Sequence, residues 1–161
     1  MKGEFFEFEV RWSDIDANRH MANSAYVERC IDCRVHFFNV SGVSTKVISK
    51  DIGPVIFHEH YYFIKEMHMG EKAKMNMQLK GNSEDYRFVE FEINLYKTNG
   101  DLAMYSTLIF TLMDLNTRKI VTPTKDIISF YDGLEKAENY KVFDPSYTRA
   151  KDVPYGRKIS F

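Results

Sequence analysis

Trp12-Ser-Asp-Ile-Asp-Ala-Asn-Arg-His-Met-Ala-Asn-Ser-Ala-Tyr26, with the segment that runs on to Gly42, reads as a polar loop feeding one helix. Val27, Cys30, Ile31, Val35 and Phe38 recur mostly three or four apart and so share one helical stripe, with no Pro or Gly before Gly42. Asn23 and Ser24 are candidate caps, because either side-chain oxygen can accept from an orphan amide of the first turn. Gly42 can take the left-handed conformation that ends the helix. A helix of that length would run roughly 27 Å, long enough to be the core of a small domain.

The same stretch concentrates polar groups. Asp14, Asp16, Asn18, His20 and Asn23 crowd just ahead of a helix start, where partial positive charge and amide donors can receive an oxygen that becomes negative. That is the make-up of a reaction centre. The same residues also have a purely local reading, in which the Asp residues form Asx turns and the Asn residues cap.

Outward from this stretch, 161 residues suffice for one domain with a substantial core and are too few for two comfortable ones. A hydrophobic share of 44% and an aromatic share of 15% fit a globular chain. A formal net charge of -1, with no basic run, leaves no electrostatic footprint for nucleic acid. No apolar run approaches a membrane span, and Met1-Lys2-Gly3-Glu4-Phe5 lacks the apolar segment of a signal peptide, so the expected location is the cytoplasm. Cys30 and Cys33 form a Cys-x-x-Cys pair, but in mid-helix rather than at the helix start where a thiolate is stabilised. No second pair completes a zinc site, and they read as structural thiols.

Glu4 to Trp12 alternates, with Phe6, Phe8, Val10 and Trp12 on one side of a strand. After Gly42, Val43 to Gly53 is a connector, either a surface linker or a lid over an entrance. Val55 to Met67 is a strand rich in aromatic and β-branched residues. It carries His58 and His60 on one face, which could ligate a metal if further ligands joined them; without a clear third and fourth, a polar face or subunit contact is the reading. Glu71 to Lys80 and Arg87 to Leu95 alternate again. Asn99-Gly100 signals a type I′ hairpin into Leu102 to Leu115, whose faces are both largely apolar, as suits a strand covered on both sides. Pro123 to Leu134 is a short amphipathic helix. From Glu135 onward the residues are polar and aperiodic, so the expected organisation is a domain over 1–134 and an irregular tail over 135–161. Arg149, Lys151, Arg157 and Lys158 make that tail basic. One strand, one long helix, four strands and a terminal helix is an α+β order.

Asp14-Ile-Asp16-Ala-Asn-Arg-His20-Met-Ala-Asn23-Ser-Ala-Tyr26 resembles the Asp-x-Asp-x-x-x-His-Val-Asn-Asn-x-x-Tyr signature of the hotdog-fold thioesterases related to 4-hydroxybenzoyl-CoA thioesterase and the acyl-ACP thioesterases. The resemblance extends over residues 5–134 in the order of elements and is specific in the short loop. It implies a five-stranded antiparallel sheet wrapped around one long central helix, with two subunits pairing to build the sites at their interface, as a homodimer or a dimer of dimers. It places Asp16 on the catalytic carboxylate, His20 on the loop histidine and Asn23 on the second of two paired asparagines, with Tyr26 a candidate substrate contact. Arg19 departs from the usual Gly, and Ala22 from the first Asn.

Thioester hydrolysis needs a carboxylate that attacks the carbonyl or activates a water, and donors for the oxyanion. Asp16 is the candidate for the first task. The backbone amides of Asn23 and Ser24 are candidates for the second, with His20 orienting water or the carbonyl and Asn23 holding the loop. The implied substrate is an acyl thioester of coenzyme A or acyl carrier protein, with no metal and no cofactor beyond the coenzyme A thioester itself. The basic tail residues are candidates for its phosphates, or simply a solvated end. The alternative is a noncatalytic binder of acyl thioesters or aromatic ligands, which Arg19 and Ala22 favour and the retained Asp16, His20 and Asn23 oppose. A hotdog dehydratase is weaker, since the His-Phe-Pro-Gly motif is not present.

Overall fold

The computed structural model describes residues 1–158, so the last three positions of the expected tail, 159–161, lie outside the described residues. Strand β1 (Phe6–Glu9) leads through a 3-10 turn (Trp12–Asp14) and the polar loop into α1 (Asn23–Val40). A one-turn helix, α2 (Ser44–Val47), precedes β2 (Ile52–Phe63), β3 (Lys72–Asn82), β4 (Phe88–Lys97) and β5 (Leu102–Asp114). Helix α3 (Lys125–Gly133), strand β6 (Glu135–Val142) and a 3-10 turn (Pro145–Thr148) follow.

The five expected strands form one antiparallel sheet in the order β1-β3-β4-β5-β2, curled around α1 in the hotdog arrangement. Tyr26, Cys30, Cys33, Phe37 and Phe38 of α1 are buried with inward residues of the sheet such as Met77, Leu79, Phe91, Ile93, Met104 and Phe110. The rings of Phe38 and Phe110 lie 5.8 Å apart. Gly42, with φ of 72°, ends the helix as expected.

Four expectations are corrected. The polar tail is not irregular: β6 runs parallel to β3, over Gln78 to Asn82, and shares that edge with β1, which covers Lys72 to Met75. Only Ala137 is buried in β6 and Tyr140 half-buried, so the segment carries no alternation to read; its order comes from β3's free backbone groups. Trp12 does not continue β1. The Asp14 carboxylate accepts from the Arg11 amide at 2.8 Å, closing the turn, and Trp12 is left 79% exposed. On α1 the expected stripe is turned, because Tyr26, Cys33 and Phe37 point inward while Ile31 and Val35 stay 46% and 39% exposed. The Asn99-Gly100 hairpin forms with three turn residues, of which Gly100 alone has positive φ. Lys97 N donates to Asp101 O and Gly100 N to Lys97 O.

β2 pairs only with β5, so its outer edge is open along twelve residues; a bulge falls at Phe57. The same edge is tied to α1 by a largely buried ion pair, Arg34 Nη1 to Glu59 Oε1 at 2.6 Å, with the Tyr61 hydroxyl donating to Glu59 Oε2 at 2.8 Å. Among the described residues no helix is long and apolar enough to cross a membrane.

Candidate active site

The loop ahead of α1 is a small hairpin. Ile15 and Met21 bridge across its base, Asp16 N donates to His20 O at 3.1 Å, and Arg19 N donates to Asp16 O at 3.0 Å. This repeats the bond pattern of the Lys97–Asp101 turn, with Arg19 where that turn has Gly100. Arg19 accordingly sits at φ of 67°, in the left-handed region. The departure from Gly therefore leaves the loop on a glycine-type path and places the strain on one backbone residue.

Asp14 anchors the base of the loop. Its carboxylate is buried, accepting from Arg29 Nη2 at 3.0 Å as well as from the Arg11 amide, and its carbonyl accepts from Ala22 N at 2.8 Å. A further bond, Met21 N to Met67 O at 2.7 Å, ties the loop to the chain beyond β2.

These constraints bring Asp16, His20, Asn23 and Tyr26 together on one cleft of about 540 Å³, with Asn18, Met21 and the stretch Phe63 to Glu66 as the rest of its lining. Asp16 Oδ1 accepts from Asn18 N at 2.8 Å, and His20 Nδ1 stands 3.9 Å from the same oxygen. The other ring nitrogen of His20 is 3.9 Å from Glu66 Oε1. The imidazole thus stands between two carboxylates, with Nδ1 also 3.3 Å from the Met21 carbonyl oxygen. Tyr26 is buried against Phe63, ring centroids 5.2 Å apart, and its hydroxyl donates to Lys65 O at 3.3 Å. Burial pushes the Tyr26 phenol above its ordinary value, so it stays a protonated wall of the cleft.

At the helix start, Ala22 occupies the cap position and offers no side-chain bond. Asn23 is the first helical residue rather than the cap, and its Oδ1 accepts from Ser24 N at 2.8 Å. Ser24 lies outside the lining, and its amide is occupied by that bond. The Asn23 amide has no acceptor among the described residues and belongs to the N-terminal, positive end of the helix dipole.

The residues not anticipated are Phe63, Ile64, Lys65 and Glu66, which close the cleft from the end of β2. No local signal marks them; only the return of β2 along α1 makes them neighbours of the loop. Cys30 and Cys33 are buried away from the cleft, and burial pushes the Cys30 thiol up to about 12 and Cys33 higher still, which removes a thiolate at neutral pH. His58 and His60 pack edge to face at 5.1 Å. No group of three or more metal-ligating side chains is gathered among the described residues.

A family model described as the thioesterase-like superfamily matches residues 10–131, and the chain belongs to that superfamily. No curated protein sequence matches it. Among solved structures it is similar to the 1,4-dihydroxy-2-naphthoyl-CoA thioesterase Slr0204 from Synechocystis, at 14% identity over 81% of this chain and 96% of that one, with a TM-score of 0.73. Protein SAV2348 from Staphylococcus aureus, solved in complex with CoA, covers 98% of this chain and 94% of its own at 18% identity and a TM-score of 0.72. A DHNA-CoA thioesterase from Staphylococcus aureus follows at 16% identity, 80% and 87% coverage and a TM-score of 0.70. At these identities the likeness shows the fold.

Proposed function

We propose that this cleft hydrolyses an acyl thioester, carried by coenzyme A or by an acyl carrier protein, to free acid and thiol. The observation that carries the reading is the convergence of the Asp16 carboxylate, the His20 imidazole and the open start of α1 on one cleft. Asp16 is the general base or the nucleophile. In the general-base route it takes a proton from water, the resulting hydroxide adds to the carbonyl carbon, and the Asn23 amide receives the oxyanion. Collapse breaks the C–S bond, and the proton passes to the departing thiolate. His20 holds the water or the carbonyl, while Tyr26 and Phe63 flank the acyl group. Ser24 joins the oxyanion site only if the Asn23 side chain releases its amide. The chemistry calls for no cofactor beyond the coenzyme A of the substrate.

The open edge of β2 and the exposed apolar residues Ile31 and Val35 of α1, the helix that Arg34 ties to Glu59 of β2, support a homodimer in which two β2 strands pair and the two α1 helices meet. A cleft walled by Phe63 to Glu66 would then lie at the subunit boundary. A second reading, a noncatalytic acyl-thioester binder, rests on Ala22, which leaves the helix start without a side-chain cap.

The test is thiol release from a panel of short, long and aromatic acyl-CoA thioesters, with Asp16→Asn beside the wild type. Turnover that vanishes in the variant, with folding and ligand affinity kept, is the expected result. A variant that hydrolyses at the wild-type rate removes Asp16 from the mechanism. Binding without turnover on every member moves the reading to the binder.

A further inference from the structure

A second cavity lies on the other face of the sheet. Phe88, Ile109, Phe143 and Ile120 form an apolar cluster separate from the core around α1. The segment after β6 folds across this face: the Tyr147 ring packs at a tilt against Phe143, centroids 4.8 Å apart, and its hydroxyl reaches the buried Glu90 carboxylate at 3.2 Å. The seat is close-fitting, for a Cβ at Gly81 would stand 2.7 Å from the Lys141 carbonyl oxygen and 3.1 Å from the Phe143 ring. Between this strap and the sheet is a space of about 620 Å³, walled by Phe57, Phe88, Ile120, Pro145 and Tyr155, with Ser146, Thr148 and Arg149 as its polar residues. Phe57 and Phe88 meet at 5.6 Å.

The lining is mostly apolar, contains no carboxylate and carries one cation. Arg149 forms no ion pair among the described residues; its guanidinium only approaches the Tyr155 ring, at 5.9 Å. The buried Glu90 carboxylate is held by Tyr147 and is not part of the wall. An apolar space of this size with a few polar groups at one side has the composition of a small-molecule site. A guanidinium beside it complements a carboxylate with two parallel donors. We infer that this outer-face cavity binds an amphipathic monocarboxylate, its apolar body against Phe57, Phe88 and Ile120 and its carboxylate on Arg149. The site is distinct from the cleft at Asp16. Phe57 is six residues from Phe63 on β2, roughly 20 Å along the strand, and meets the outer cluster while Phe63 meets α1. A free acid held here would bind without entering the cleft and would fasten the strap to the sheet.

The inference is tested by isothermal titration of the full chain with octanoate, with octan-1-ol and octylamine as probes that remove or reverse the charge, and by hydrogen exchange to locate the contact. Saturable octanoate binding is expected, weakened roughly tenfold or more in Arg149→Ala, a change at an exposed position. The two control probes should bind at least as weakly. Exchange should slow at 143–157 and around Phe88 in both the wild type and Asp16→Asn. Octanoate binding unchanged in Arg149→Ala overturns the inference. So does protection confined to 16–26 and 63–66, which would be acid in the catalytic cleft and would leave the hydrolase reading intact. Binding of 3′,5′-ADP at the strap in place of octanoate also overturns it, by assigning the cavity to a nucleotide. An inactive protein that still binds octanoate through Arg149 would sink the hydrolase and keep this site.

Discussion

Replacing Arg19 by Gly should stabilise the protein, although it deletes a whole charged side chain. Arg19 holds φ of 67°, a conformation that costs a residue with a Cβ roughly 1–2 kcal/mol. Its side chain is exposed and makes no hydrogen bond or ion pair among the described residues, so little is lost with it. Against the relief stands the greater freedom of Gly in the unfolded chain, roughly 0.5–1 kcal/mol. The net gain in Arg19→Gly is then about 0.5–1 kcal/mol. Arg19→Val, with branching at Cβ, should lose about 1 kcal/mol or more, because β-branched residues fit this region worst. The two variants should therefore differ by about 2 kcal/mol. Urea unfolding at unchanged slope measures this as a shift in midpoint, and thermal melts should separate the pair by roughly 4–8 °C for a chain of this size. Equal stability of the Gly and Val variants would refute the reasoning, for it would mean that residue 19 is not held left-handed.

Three other outcomes follow from the geometry. Asp14→Ala removes one of the two carboxylates that hold Arg29, leaving Asp32 at 2.7 Å, and frees the Arg11 amide at the base of the loop, so stability should fall by about 1–3 kcal/mol in urea unfolding, and the Asp16 cleft should lose ligand affinity with it. Cys30 and Cys33 have folded pKa values raised above the ordinary 9.0 by burial, so the folded state holds these protons more tightly than the unfolded chain. Their contribution is complete below pH 9 and is lost as pH rises through the folded pKa of Cys30, about 12; stability should decline across that window, and more steeply than in a Cys30→Ala/Cys33→Ala double variant measured alongside. Val35→Asp, at an exposed position on α1, should leave the monomer folded and, on the homodimer proposed above, shift sedimentation from dimer to monomer; an unchanged sedimentation coefficient would overturn the α1 contact of that proposal.

Strands were legible where one face is wet and the other dry: Ala73, Met75, Met77 and Leu79 alternate with lysines and polar residues, and the structure turns the apolar set inward. The turn of α1 was not, because apolar side chains occupy more than one of its sides and periodicity does not say which side meets the sheet. Asp14, Asp16, Asn18, His20 and Asn23 stood out as a group because their types crowd ahead of a helix, and the resemblance to the hotdog signature singled out Asp16, His20 and Asn23 among them. Glu66 could not, since an acidic residue after a strand has no distinguishing feature until β2 returns along α1. β6 was illegible for a different reason: it is held by backbone pairing to β3 while most of its side chains face water.

The two sides of the sheet end differently. On one, β1 and β6 sit end to end against β3, four and eight residues long and running in opposite senses. On the other, β2, paired to β5 along one side, leaves the outer edge of a twelve-residue strand open. In the language of polymer chemistry the subunit is monofunctional: it has one end at which a strand can add and, opposite it, two short stubs that make a poor template. In the homodimer proposed above, joining two copies through β2 would consume both active ends, so assembly by strand addition would terminate at the pair instead of propagating into a fibre. The unpredicted strand β6 is thus a chain stopper, built from the part of the sequence least like a strand.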